Sequence, residues 1–409
     1  MGINHFMTRV LVCIGFICIN FCATAQFSQN KDNELILGTV DSLFSKTLNE
    51  QREIWVHLPE KIEEEKKYPV IYVLDGRGHF HTVTGILKLL EKWNLPKSIV
   101  VGISNTDRTR DFTPTNVPFQ RGHKSETSGG AANFLTFIEK ELKPFVESKY
   151  PIDTMSTIIG HSTGGLFVLY TYTHHPDVFD NYLAIDPSLW WDKEKLVKQS
   201  EKLLSTSTYQ NKSLYVAVAN SVRVDTVKVR KLRSEPTEML RANLNFHDIL
   251  VKNKDHIEFT WDYQGNEDHG SVVIPGMYNG LRSLFSWYPF PERWRFNTPK
   301  AYTAEELTTP FYTHFEELSK RFKREVKPDW QFINDVGFFI VTSHKLPKRA
   351  QAYLEMNLKY YPEESKSYVA MGDYYTMIKK KDEAISHFEK AIAIDGNKEA
   401  QEKLKKLNK

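Results

Sequence analysis

The fold turns on Thr157-Ile158-Ile159-Gly160-His161-Ser162-Thr163-Gly164-Gly165-Leu166. A short apolar run, Thr157–Ile159, passes through a Gly-x-Ser-x-Gly turn into an apolar helix that begins near Leu166. Strand, sharp turn and helix in that order hold a serine hydroxyl clear of the backbone, and only glycine leaves room for the neighbouring chain to pass. The helix N-terminus beneath it favours developing negative charge. As a bare pattern the motif is weak; its strand–turn–helix setting makes Ser162 the candidate nucleophile.

Working outward, further short apolar runs occur at Val70–Leu74, Ile99–Ile103, Tyr182–Ile185, Leu214–Val218 and Ile257–Tyr263. Runs that are continuous rather than alternating predict strands buried on both faces, hence a mostly parallel α/β sheet. Phe134, Phe137, Ile138, Leu142, Phe145 and Val146 repeat at helical spacing and predict a crossover helix. Leu35–Leu43 and Arg52–Leu58, split by a turn at Thr47–Glu50, read as an antiparallel opening hairpin. The α/β domain is expected to close near Pro289-Phe290-Pro291.

A serine nucleophile needs a general base, which in such a fold follows the last strand. Asn266-Glu267-Asp268-His269-Gly270-Ser271 stands there, and imidazole takes and returns a proton near neutral pH, so His269 is the expected base. Asp268 is expected to face away or cap the turn. The tetrahedral oxyanion needs two backbone N–H donors. One is expected from Thr163, directly after the nucleophile, and the other from Arg77 in the turn Asp75-Gly76-Arg77-Gly78. The acid that orients the histidine should follow the Leu214–Val218 run. Asp225 is the first acid there and is taken as the third member, with Glu235, or a Ser–His dyad without an acid, as alternatives. Asp186 and Asp192 lie close to the site but too early for the usual order. No His-Glu-x-x-His or other metal spacing occurs, so no metal and no cofactor is expected.

Both ends of the chain differ from this middle. Met1–Ala25 carries one Arg (Arg9) and no acid, an apolar stretch Val10–Cys22, and then Ala23-Thr24-Ala25. That is the pattern of a cleaved signal peptide, with Gln26 as the expected mature start and a periplasmic or secreted location. Cys13, Cys18 and Cys22 are the chain's three cysteines, so the mature chain would hold no disulfide or thiolate site. From about residue 303 the apolar runs give way to charged helical sequence. Tyr368, Met371, Gly372, Tyr375, Ala384, Phe388 and Ala391 fall at tetratricopeptide offsets, with a divergent copy upstream at Gly337, Ala350, Leu354 and Pro362 and a capping helix at Gln401–Leu407. The expected division is 1–25 signal peptide, 26–295 α/β domain, 296–325 connecting helical segment and 326–409 helical repeats. Two repeats are few for independent stability, so they are expected to dock on the α/β domain. Lys and Arg number 54 against 51 Asp and Glu, a net +3 over 409 residues, which argues against a dedicated nucleic-acid binder. Nothing after residue 25 approaches the roughly 20 apolar residues of a membrane span.

With Leu74-Asp75-Gly76, Gly160–Gly165, Asp186-Pro187-Ser188-Leu189-Trp190-Trp191 and Asp268-His269-Gly270-Ser271 in order, residues 34–290 resemble the putative-esterase (esterase D-like) family of α/β-hydrolases. That family includes siderophore trilactone, feruloyl and acetyl-xylan esterases, S-formylglutathione hydrolase and mycolyltransferases. The resemblance implies Ser162 as nucleophile, His269 as base and an oxyanion hole from the Arg77 and Thr163 backbone. It has no clear motif for the acid. It implies an α/β-hydrolase fold and a serine carboxylic ester hydrolase, with Asn105–Pro114 as a loop beside the site. Arg108, Arg110, Arg121 and Lys124 crowd residues 105–124; as a rim of the cleft they would favour an anionic ester, such as a catecholate siderophore or a ferulate-bearing sugar. Trp190 and Trp191 read either as an aromatic wall for substrate or as core. The expected partner is a small-molecule or glycan ester, with a protein partner for the repeats. The rival classes are a non-catalytic ligand-binding protein and an acyltransferase.

Overall fold

The computed structural model describes residues 36–60, 62–63, 66–91 and 94–408; the leader, its cysteines and Gln26 lie outside the described residues. The strands are β1 (Thr39–Ser45), β2 (Glu50–His57), β3 (Tyr68–Val73), β4 (Ile99–Ile103), β5 (Phe119–Gln120), β6 (His123–Lys124), β7 (Ile152–His161), β8 (Asn181–Ile185), β9 (Ser213–Ala219) and β10 (Glu258–Gln264). Eight of them form one sheet in the order β1-β2-β4-β3-β7-β8-β9-β10. β1, β2 and β4 pair antiparallel, and every pair from β4 to β10 is parallel. The mostly parallel sheet is covered on both faces, an α/β-hydrolase fold. Helices Gly76–Leu90 and Val273–Leu284 pack together on one face, and Thr163–His174, Trp191–Thr206 and Glu238–Lys252 succeed one another on the other.

β3, β4 and β8 are buried at every position, which is why they appear in the sequence as unbroken apolar runs. β7 is far longer than the three residues Thr157–Ile159 that mark it. Its first half is disguised by buried polar residues with partners. The Asp153 carboxylate takes a 2.6 Å contact from Arg324 Nε, and the Ser156 N–H donates to Asp180 Oδ2 at 2.8 Å. The opening hairpin is present as β1 and β2, with its turn at Lys46–Asn49, one residue before the expected position. The crossover helix runs as Ala131–Phe137 and Lys143–Lys149 around a π-helical turn at Ile138–Leu142.

Arg52 on β2 holds the loop that follows β4. Its fully buried guanidinium meets the equally buried Asp111 at 2.7 Å and the Ser104 carbonyl at 2.9 Å, and lies over the rings of Phe134 and Phe137. Removing one partner strands the other charge out of water. Asp111→Ala is therefore expected to cost about 3–5 kcal/mol, seen as a lower midpoint in urea or thermal unfolding, with Arg52→Met/Asp111→Leu costing less than the single change. Glu50, at the rim of this network, is pushed up by partial burial, but hydrogen bonds from Arg110, Thr106 and Arg52 outweigh that and hold its carboxyl at about 2.

The chain from Ala304 onward is helical: Ala304–Phe322, then Trp330–Thr342 with Pro347–Tyr360, then Ser365–Met377 with Lys381–Asp395, and Lys398–Leu407. The two middle pairs are antiparallel hairpins sharing a core of their own, from Phe296 to Ala400. In each, a glycine admits the facing side chain: a Cβ on Gly372 would lie 2.4 Å from Phe388, and one on Gly337 2.8 Å from Leu354. The helical region docks on the sheet domain through Arg324, which also donates to the Lys67 carbonyl, and through Phe322 against Trp287.

Candidate active site

β7 ends at His161 and the helix Thr163–His174 starts two residues later, leaving Ser162 between them with φ 62° and ψ −121°. A non-glycine residue adopts such a backbone only when its surroundings over-determine it. Here they do: the Ser162 N–H donates to the Ile185 carbonyl, while the Ser162 carbonyl accepts from Leu166 and Ser188. A Cβ on Gly160 would lie 2.4 Å from the Gly164 carbonyl oxygen, so the elbow closes only with glycine there. Gly160→Ala is expected to leave little folded protein, read as loss of soluble yield beside wild type.

Three side chains from three strand ends meet at this elbow. His269, in the turn after β10, places Nε2 3.1 Å from Ser162 Oγ. Its Nδ1 lies 2.6 Å from Oδ2 of Asp186, at the end of β8. The carboxylate is 2% exposed, and its other oxygen accepts the Ala219 N–H at 3.2 Å. Because a carboxylate only accepts, His269 carries its proton on Nδ1, which turns the lone pair of Nε2 toward the serine. That is the tautomer a general base needs. Ser188 Oγ stands 3.3 Å from Ser162 Oγ, a second hydroxyl that the sequence did not single out.

Asp225, the expected acid, makes other contacts in this geometry. Asp225 accepts from the backbone N–H groups of Val227 and Lys228, capping a one-turn helix, so its carboxylate is already engaged. Glu235 sits in the turn Glu235–Thr237 with an exposed carboxylate 3.9 Å from Arg121. The imidazole contact comes from Asp186, which chain order had set aside. Asp192 begins a left-handed turn, Asp192–Glu194, and faces Lys195. Asp268 caps its own turn by accepting from Gly270 and Ser271.

Arg77 and Thr163 each lie in the first turn of a helix, where backbone N–H groups have no intrahelical acceptor. Arg108 ties these two turns together. Its guanidinium grips both oxygens of Asp75, at 2.7 and 3.0 Å, and also donates to the Thr163 hydroxyl and the His161 carbonyl. Arg110 is paired with Glu50 and Asp111, Arg121 with Glu238, and Lys124 with Glu126. The four cations of this loop, Arg108 and Arg110 of the expected cationic rim among them, are thus engaged by carboxylates of the protein itself. Arg108→Ala is expected to lower kcat by about 10²-fold, through a slackened Asp75 turn, with KM changed far less; steady-state kinetics on a p-nitrophenyl ester reads both.

Trp191 is core, 5% exposed, with its indole N–H donating to Thr115. Trp190 is half-buried and carries the Arg121 guanidinium 3.6 Å from its ring centroid. Arg121 and Gly122, both at positive φ, turn the β5–β6 ribbon that brings it there. Among the described residues no group of three or more His, Cys, Asp or Glu side chains is arranged to hold a metal ion.

A family model described as "Putative esterase" matches residues 45–273. The chain is 35% identical over 202 residues to ferri-bacillibactin esterase BesA of Bacillus subtilis, covering 45% of this chain and 70% of that protein. It is 29% identical over 250 residues to the siderophore enterobactin esterase of Emericella nidulans, covering 54% and 82%. The solved structure of an IroE-like serine hydrolase from Shewanella oneidensis superposes with a TM-score of 0.65 at 29% identity, covering 79% of this chain and 99% of that one.

Proposed function

Because this chain belongs to the Putative esterase family and is a carboxylic ester hydrolase, we propose that Ser162, His269 and Asp186 are its catalytic triad and that its substrates are siderophore-type esters. The observation that carries the triad is the unbroken line from Ser162 Oγ to His269 Nε2 at 3.1 Å and from His269 Nδ1 to Asp186 at 2.6 Å.

The mechanism follows from these atoms. His269 Nε2 takes the Ser162 proton as Oγ attacks the ester carbonyl, and buried Asp186 stabilises the imidazolium that results. The Arg77 and Thr163 N–H groups receive the oxyanion, with Arg108 holding their two turns in register. Imidazolium then protonates the leaving alkoxide, and water activated by the same nitrogen releases the acid from Ser162. None of these steps calls on a metal or cofactor.

The substrate class rests on the likeness to proteins named as esterases of bacillibactin and enterobactin. Purified 26–409 protein is expected to cleave a catecholate trilactone with kcat/KM at least 10-fold above that for a feruloyl or acetyl sugar ester, followed by chromatography of the released acids. Equal or reversed rates would move the substrate to the sugar esters. We read Met1–Ala25 as an export signal, so the protein recovered from cells is expected to begin at Gln26 and to fractionate outside the cytoplasm. The paired hairpins from Trp330 to Asp395 we take as tetratricopeptide-type repeats, whose shared glycine-to-apolar contacts support that reading.

A further inference from the structure

Behind the proposed base stands a second histidine that the mechanism does not use. His161, the last residue of β7, precedes the nucleophile. Its Nε2 lies 2.9 Å from the backbone carbonyl of His269, and the two imidazole rings lie 4.5 Å apart, tilted by 38°. A carbonyl only accepts, so Nε2 carries the proton and donates. From its own backbone, the His161 carbonyl accepts from Arg108. One residue thus joins the nucleophile strand, the turn carrying the base and the arginine that braces the oxyanion turns.

We infer that His161 is a positioning residue: its neutral ring, donating from Nε2 to the His269 carbonyl, fixes the depth and tilt at which the general base meets Ser162. The His269 turn is otherwise held by Asp186 on Nδ1 and by backbone bonds from the Asn220 N–H to the Glu267 carbonyl and from the Val272 N–H to the Asp268 carbonyl, none of which reaches the strand that bears Ser162. Its neighbours Asp268, Gly270 and Ser271 hydrogen-bond chiefly to one another, and the His269 side chain is 38% exposed. Between this turn and the strand that bears Ser162, the direct ties are the His161 Nε2 donor to the His269 carbonyl and the Ser162–His269 contact. Geometry tolerances at a proton-transfer site are tight, and displacement by about 1 Å costs about 10²-fold.

A charged ring here would repel the imidazolium that forms on His269 during each turnover. Burial first of all, and next the neighbouring His269, push the His161 pKa down to about 4, against the hydrogen bond to the His269 carbonyl; His79 and Arg108 also face the ring and lower it further. His79 lies 5.9 Å beyond His161, ring edge to face, and burial lowers its pKa as well, so the two rings behind the base stay uncharged near neutral pH.

The inference rests on His269 acting as base, and the test separates the two. Full-length mature protein, with Ser162→Ala, His161→Gln and His161→Leu, would be reacted with a fluorophosphonate and assayed on p-nitrophenyl butyrate. Glutamine keeps an N–H donor near the Nε2 position, and leucine keeps bulk without a donor. Expected are a loss of kcat of about 10²-fold in His161→Leu with KM within about threefold, a similar drop in labelling rate, and recovery to within about fivefold of wild type in His161→Gln. In ¹⁵N spectra, the His161 ring should hold the Nε2–H tautomer without titrating between pH 5.5 and 8. His161→Leu at the wild-type rate, equal losses in both variants, or an Nδ1–H or titrating His161 would overturn the positioning role. Labelling that survives Ser162→Ala would instead overturn the triad itself.

Discussion

Ser162→Ala is expected to lower kcat for any ester substrate by about 10⁵–10⁶-fold, close to the uncatalysed rate plus what the oxyanion donors alone supply. The size follows from the route. Without Oγ there is no acyl-enzyme, and water would have to attack directly from a site built around a side chain on a strained backbone. At about 1.4 kcal/mol per factor of ten, the loss is about 7–8 kcal/mol of transition-state stabilisation. Fold should be untouched, because the Ser162 backbone, not its hydroxyl, makes the contacts to Ile185, Leu166 and Ser188. An active-site titration with p-nitrophenyl butyrate, showing a burst in wild type and none in the variant, checks it.

The second large effect separates two aspartates. Asp186→Asn is expected to lower kcat by about 10³–10⁴-fold, whereas Asp225→Asn should stay within about twofold. An asparagine at 186 can still accept the Ala219 N–H, so the strand end survives. Its amide N–H₂, however, presents a donor to His269 Nδ1 and drives the proton to Nε2, where it faces Ser162 and blocks general-base action. Loss of the carboxylate also leaves the imidazolium without its buried counter-charge. Asp225 holds a one-turn helix by its cap, and an asparagine caps nearly as well. Parallel kcat measurements on the two variants decide which acid serves the histidine.

Much of this arrangement was legible in the sequence, and the failures have physical causes. Strands buried on both faces announce themselves as apolar runs, so the sheet core could be read; β7 could not be read in full because Asp153 and Ser156 are buried with partners. Ser162 and His269 stood out because their positions in strand–turn settings are local facts. The acid did not. Chain order placed it after β9, but proximity is set by the sheet, in which β8 lies directly beside β7, bringing Asp186 to the elbow. The partners of the charged loop are hidden in the sequence for a similar reason. A run of arginines was read without its partners, yet Arg108 finds Asp75 33 residues away and Arg110 finds Glu50 60 residues away. Local patterns carry the backbone; pairings between distant charges appear only when the sheet assembles them. Trp191, which the sequence allows as wall or core, is buried.

The most direct measurement is to label the wild-type protein with a fluorophosphonate and locate the adduct by fragmentation of the tryptic peptide that starts at Tyr150. The triad predicts a single stoichiometric adduct on Ser162, formed at a rate that collapses in His269→Ala and Asp186→Asn and is kept in Asp225→Asn. An adduct on Ser188 or another hydroxyl, or labelling that Asp186→Asn leaves at the wild-type rate, would contradict it.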